Sequence, residues 1–213
     1  MTTTILLTGF EPFAGDATNP SGDAVQLLAK RWAGPEALVV EVLPVEFAGA
    51  SARLGALIRE HSPDVVVAVG LAGGRPGLTP ARVAINLADA RIPDNAGDQP
   101  LDRPSVAGAP AAYFATLPVK AMTAAIVAAG VPASLSHSAG TFVCNHVMFT
   151  ALHETAAADG IRAGFIHVPY ASGRAPDGTS SLPLDDIVRG LEAALRTAVD
   201  APTDAALPGG TLH

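Results

Sequence analysis

The chain has 213 residues, 49% of them hydrophobic, which suits one globular domain with a full core and excludes a disordered chain. A net charge of −7, with only 13 Lys and Arg and no basic cluster, excludes a nucleic-acid surface. One cysteine excludes an intrachain disulfide, and neither CxxC nor HExxH is present to hold a metal.

The first strand is expected at 4–9, and Asn19-Pro20 is a natural entry to a helix at 21–32. A strand at 38–44 follows, then a helix at 49–61 with Leu54, Leu57 and Ile58 on one face, stopping before Pro63. Segment 64–70 is apolar on both faces, as a central parallel strand should be. After a strand at 82–86, segment 88–118 carries Pro93, Pro100, Pro104, Pro110 and Pro118 and reads as a long loop or excursion. A helix at 119–129 ends at Gly130, strands are expected at 133–138 and 164–168, and the Gly-, Ser- and Pro-rich 169–183 is expected to be mobile. The helix at 184–199 shows Leu184, Ile187, Val188, Leu191, Leu195 and Val199 at helical spacing.

This alternation implies an α/β fold, a parallel sheet with helices on both faces. Residues 1–200 are expected to form one domain, and 201–213 a loose tail. Apolar runs at 38–45 and 65–72 are too short to cross a bilayer, and the opening Met-Thr-Thr-Thr is unlike a secretory leader. A soluble, cytoplasmic protein with no membrane partner is the expectation.

Chemistry concentrates around Cys144. Cys144, Val147, Met148, Ala151, Leu152 and Thr155 recur at three and four, so a helix has begun by Cys144, with Gly140 or Thr141 as its N-cap. A thiol in the first turn meets free N–H groups and the helix dipole, which favour the nucleophilic thiolate and predict a pKa below the usual value of about 8.5. The same periodicity fits a buried packing cysteine equally well. A nucleophile needs a base within hydrogen-bond reach. His146 lies two residues past Cys144, and such neighbours on a helix do not face each other. His153 is on the polar part of the same helix, His61 is at a helix end, and His213 is terminal. His137 and His167 remain. His167 ends a strand, at the edge where open α/β sheets place their sites, although a histidine there can also cap a loop.

Four co-linear blocks carry a resemblance over nearly the whole chain: Gly9-Phe-Glu-Pro-Phe-Ala-Gly15 with Asn19-Pro-Ser21; Ala72-Gly-Gly-Arg75 with Arg82-Val-Ala-Ile-Asn86; Ala90-Arg-Ile-Pro-Asp-Asn95 with Gln99-Pro100; and Ala139-Gly-Thr-Phe-Val-Cys-Asn145 with Gly164-Phe-Ile-His-Val-Pro169. Together they resemble the pyroglutamyl peptidase I (pyrrolidone-carboxylate peptidase) family. The resemblance implies a single three-layer α/β/α domain with a twisted, mostly parallel mixed sheet, often assembled as a homotetramer. It implies cysteine-peptidase hydrolysis after an N-terminal pyroglutamyl residue of peptides, through a thioester and without metal or cofactor. Cys144 matches the family nucleophile and His167 its general base, and Arg91 matches the residue near the oxyanion. Phe10, Phe13, Phe142 and Val143 match the lactam pocket, and Asn19 its polar contact.

The chain departs from the family at several positions. Ala81 stands where the family has its catalytic glutamate, and a methyl group can neither orient an imidazole nor stabilise its charge. Leu71 replaces a usual glutamine beside the pocket, and Ala14 and Gly22 replace Gly and Trp. Asp94 and Asp89 are the nearby acids, and Asp94 is the candidate orienting acid. The alternatives are a catalytically weak relative that binds lactam groups and an amidase for another compact acyl group. The glycine-rich stretch 70–77 fits neither dinucleotide nor P-loop patterns.

Overall fold

The computed structural model describes residues 2–158 and 160–210, so His213 lies outside the described residues. The chain runs β1 (Thr4–Phe10), α1 (Pro20–Arg31), β2 (Ala37–Leu43), α2 (Phe47–His61), β3 (Val65–Leu71), β4 (Thr79–Ala81), β5 (Val83–Ile85) and β6 (Ala112–Phe114). It continues through α3 (Val119–Ala128), α4 (Val143–Thr155), β7 (Arg162–Val168), β8 (Tyr170–Ala171), β9 (Ser181–Leu182) and α5 (Leu184–Asp200). The main sheet has the order β2-β1-β3-β7-β4, its first four strands parallel and β4 antiparallel to β7. Among the described residues no helix is long and apolar enough to cross a membrane.

Alternation along the strands sorts side chains to two cores. Ile5, Leu7, Val65, Val67, Val69, Ile166 and Val168 pack with residues of α1, α3 and α5 such as Leu28, Met122 and Leu191. Leu6, Phe10, Val66, Ala68 and Phe165 face α2 and α4, against Leu54, Val147 and Phe149. The odd-numbered residues of β7 and β4 share this second face, which is also the face that carries the site.

Several expectations are corrected. The strand expected at 82–86 is β5, which pairs with β6 from within the proline-rich excursion and stays out of the main sheet, while the edge strand that does join it, β4, comes just before, where no strand is expected. Segment 133–138 is not a strand. It runs beside β4 through bridges Leu78–Ala133 and Ala81–Ser136, and Pro80, lacking an N–H, interrupts the ladder there. The N-cap of α4 is Phe142, later than Gly140 or Thr141, and its side chain makes no capping bond. Within 169–183, β8 and β9 pair at Tyr170–Ser181 and Ala171–Leu182. In the tail, the Asp204 carboxylate accepts from the Lys120 and Ala121 amides and so caps α3.

Candidate active site

Cys144 enters the site because the first turn of α4 lies against the carboxyl end of β3. Asn145, fully buried, fixes that turn: its Oδ1 accepts from the Ile85 amide at 3.0 Å and its Nδ2 donates to the Ile85 and Leu87 carbonyls. The sulfur then sits over Gly70. A Cβ at that position would lie 2.8 Å from Cys144 Sγ and 2.7 Å from the Phe165 ring, so only glycine leaves room for the nucleophile.

Gly70 is the register partner of His167 on one side, and Thr79 is its partner on the other. Register partners share a face, so the sulfur above Gly70 lies on the imidazole's side of the sheet. One step down the strands, the row is Ala68, Phe165 and Ala81. Ala81 is therefore diagonal to His167 on the same face, within reach of a long side chain. It is a fully buried methyl group. His167 is 4% exposed, and its Nδ1 is buried with no hydrogen-bond partner among the described residues.

Burial dominates the electrostatics. It pushes the Cys144 thiol up to about 12, against the pull of its own backbone amide and of the Arg75 guanidinium. It pushes His167 down to about 3, and Arg75 acts in the same sense. The expected low-pKa thiol is thus corrected: desolvation at Gly70 and Phe165 outweighs the helix terminus. At neutral pH the pair rests as thiol and neutral imidazole.

Both groups line one cavity of about 160 Å³, walled by Phe10, Phe13, Phe142, Val143, Val45 and Leu71, with Asn19 at its edge. Phe13 and Phe142 stand 6.2 Å apart between ring centroids. The turn that presents Phe13 needs positive φ at Ala14 (54°) and Gly15 (86°), so a methyl group at Ala14 costs about 1 kcal/mol. At Gly22, a Cβ would lie 2.5 Å from the Phe10 carbonyl oxygen, and α1 packs there backbone to backbone. Asn19 caps α1, accepting from Ser21 and donating to the Glu11 carbonyl at 2.8 Å, which leaves one amide N–H uncommitted.

Other expected residues lie elsewhere. Arg91 is exposed and lines an adjoining cavity with Asp89, on the far side of Phe13, Thr141 and Phe142. Asp94 is not beside His167: its carboxylate accepts from the amides of Phe47, Ala96 and Asp98, fixing α2 and the excursion. His146 is turned away, edge-on to Phe47 at 5.4 Å. His153 bonds the Tyr113 hydroxyl at 2.9 Å, and His137 is exposed. The elimination that left two histidines thus resolves to His167, the histidine that shares a cavity with Cys144.

The model of the pyroglutamyl peptidase family matches residues 3–201. The chain belongs to this family. A pyrrolidone-carboxylate peptidase of Cupriavidus necator is 50% identical over 214 residues, covering 99% of both chains. One from Clavibacter michiganensis subsp. michiganensis is 48% identical, over 98% of this chain and 99% of its own. The crystal structure of pyroglutamyl peptidase I from Bacillus amyloliquefaciens superposes with a TM-score of 0.94 at 43% identity, covering 98% of this chain and 100% of that one. The chain is thus a cysteine exopeptidase of the pyroglutamyl peptidase I type. Gly70 and Asn145 went unremarked in the sequence as site residues. The signal for Asn145 was a lone amide in an apolar helix start, but Gly70 needed the register of β3 with β7.

Proposed function

We propose that this enzyme hydrolyses the amide bond that follows an N-terminal pyroglutamyl residue of peptides. The observation that carries the reading is a small apolar cavity that ends on Cys144 and His167. Pyroglutamate is compact, flat and uncharged, and phenylalanine walls with one spare amide N–H on Asn19 suit it. A free N-terminus would bring an ammonium into the same cavity with no partner, at a large desolvation cost.

In this reading the Cys144 proton passes to His167 as Sγ bonds the pyroglutamyl carbonyl carbon. The oxyanion is met by the Cys144 backbone N–H, free in the first turn of α4. His167 then protonates the leaving amine, and water hydrolyses the thioester. Homo-oligomeric assembly, a homotetramer by resemblance, belongs to the same proposal. Exposed Leu101, Phe114 and Val127 support it as apolar surface for a second copy to cover, and light scattering tests it.

A pyroglutamyl chromogenic amide is the test. Wild type should release the chromophore, and Cys144→Ala should lose at least about 10⁴-fold in kcat while still binding the substrate. Turnover by Cys144→Ala would overturn the mechanism. The second reading, a weakly catalytic lactam binder, is favoured by His167 Nδ1 having no partner among the described residues, with only the methyl group of Ala81 at the diagonal position. It predicts tight binding with barely measurable turnover by the wild type.

A further inference from the structure

One cation stands behind the catalytic pair with no part assigned to it. Arg75 lies half-buried between β3 and β4, and its Nη1 donates to Thr79 Oγ1 at 2.6 Å. Thr79 is 4% exposed and directly opposite His167 in the ladder of β4 with β7. Arg75 takes part in none of the ion pairs among the described residues, and no carboxylate lines the cavity of Cys144. Besides His167 from β7, the charge that acts on the sulfur is Arg75 ahead of β4; Tyr170 from β8 covers Gly73 with its ring, and its hydroxyl donates to Asp16 at 3.4 Å.

We propose that Arg75 is a positioning residue for the reaction, a fixed positive charge held by Thr79 that favours the sulfur anion of Cys144 and disfavours a protonated His167. This deepens the cysteine-peptidase reading and rests on it. A carboxylate at position 81 would stabilise the imidazolium, whereas here the fixed charge behind the ring has the opposite sign. The consequence follows the proton. It leaves Sγ for the imidazole as the S–C bond forms, and it leaves the imidazole for the amine nitrogen as the C–N bond breaks. A ring of low basicity holds it briefly and gives it up readily, so Arg75 assists the sulfur at the start and the leaving group at the end. The directions of both titrations agree, because the guanidinium lowers Cys144 and lowers His167.

The test is the rate of Cys144 alkylation by iodoacetamide between pH 6 and 10, on the full chain without substrate. Arg75→Met should displace the profile toward base by about one unit, a roughly tenfold slower reaction on its rising limb. Arg75→Lys, which keeps the charge, should recover most of that loss. Thr79→Val, which frees the guanidinium, should shift the profile the same way by less. In turnover, Arg75→Met should lower kcat with KM nearly unchanged. An unmoved alkylation profile in Arg75→Met would overturn the proposal, and so would a loss confined to KM, which would make Arg75 a substrate contact. If Arg75→Met does not fold, Thr79→Val decides by the same criterion. Alkylation needs no substrate, so failure to cleave a pyroglutamyl amide would count against the substrate reading alone.

Discussion

On the substrate side of Cys144 the polar side chains are tied down. Asn145 pins the helix start that carries the sulfur to Ile85 and Leu87, and Asn19 pins the turn that carries Phe13 to the Glu11 carbonyl. Behind His167 the opposite holds: among the described residues Nδ1 is buried without a partner, the diagonal position is a methyl group, and the charge that acts on the ring is the cationic Arg75. Binding and proton transfer therefore rest on separate halves of the site. Changes in front should move KM, and changes behind should move kcat.

The largest expected effect breaks the junction of the two halves. Gly70→Ala puts a methyl group where Sγ and the Phe165 ring now meet, and displacing the sulfur should cost about 10²-fold in kcat with KM nearly constant. Unchanged turnover would mean that the sulfur has another productive place. Next, Ala81→Glu restores an acid diagonal to His167. It should raise kcat about tenfold, well below the roughly 10⁴-fold worth of the serine-protease aspartate, and raise the His167 pKa as followed by imidazole NMR. A variant with the ring's pKa raised but no gain in kcat would show that the back half suffices as it stands.

Phe13→Ala tests the front alone. Losing one ring contact should raise KM about tenfold and leave kcat in place, since Phe13 is half-buried and its loss opens no sealed core. A fall in kcat instead would mean that the two halves are coupled. The smallest effect is on folding. Unfolded imidazoles take up a proton below about pH 6.5, but native His167 does so only at about 3. The unfolded state thus binds more protons in that window, and stability should fall as pH drops, by up to roughly 1.4 kcal/mol per pH unit. Buried His146 adds in the same sense. Urea melts at pH 7 and 5 should show the loss, and His167→Gln should flatten it; a wild type with no slope would mean that the ring is already charged.

The parallel core was legible because β3 is apolar on both faces and the helices keep their spacing. Boundaries at α1, α2, α3 and α5 fell within two residues of those expected, since Pro20, Pro63 and Gly130 punctuate them. The edge was not legible: with Pro80 in β4 and bridges in place of a ladder at 133–138, local pattern carries too little signal. At the site, helix phase and strand end made Cys144 and His167 candidates beside equal packing and capping readings, and the family resemblance assigned their roles. Their protonation could not, because desolvation of the sulfur depends on Gly70 and Phe165 in other strands. The role of Asp94 was hidden for a similar reason, as its amide partners include Phe47, far away in sequence.

The resting state of the single sulfur reaches beyond peptide hydrolysis. Peroxide attacks thiolates, and a protonated thiol wedged against glycine and a phenyl ring offers it little. An exposed, ionised cysteine would be consumed in an oxidising milieu, with no second thiol in this chain to rescue it as a disulfide. Here the sulfur rests protonated and the anion is scarce, so catalytic readiness is exchanged for a long chemical lifetime.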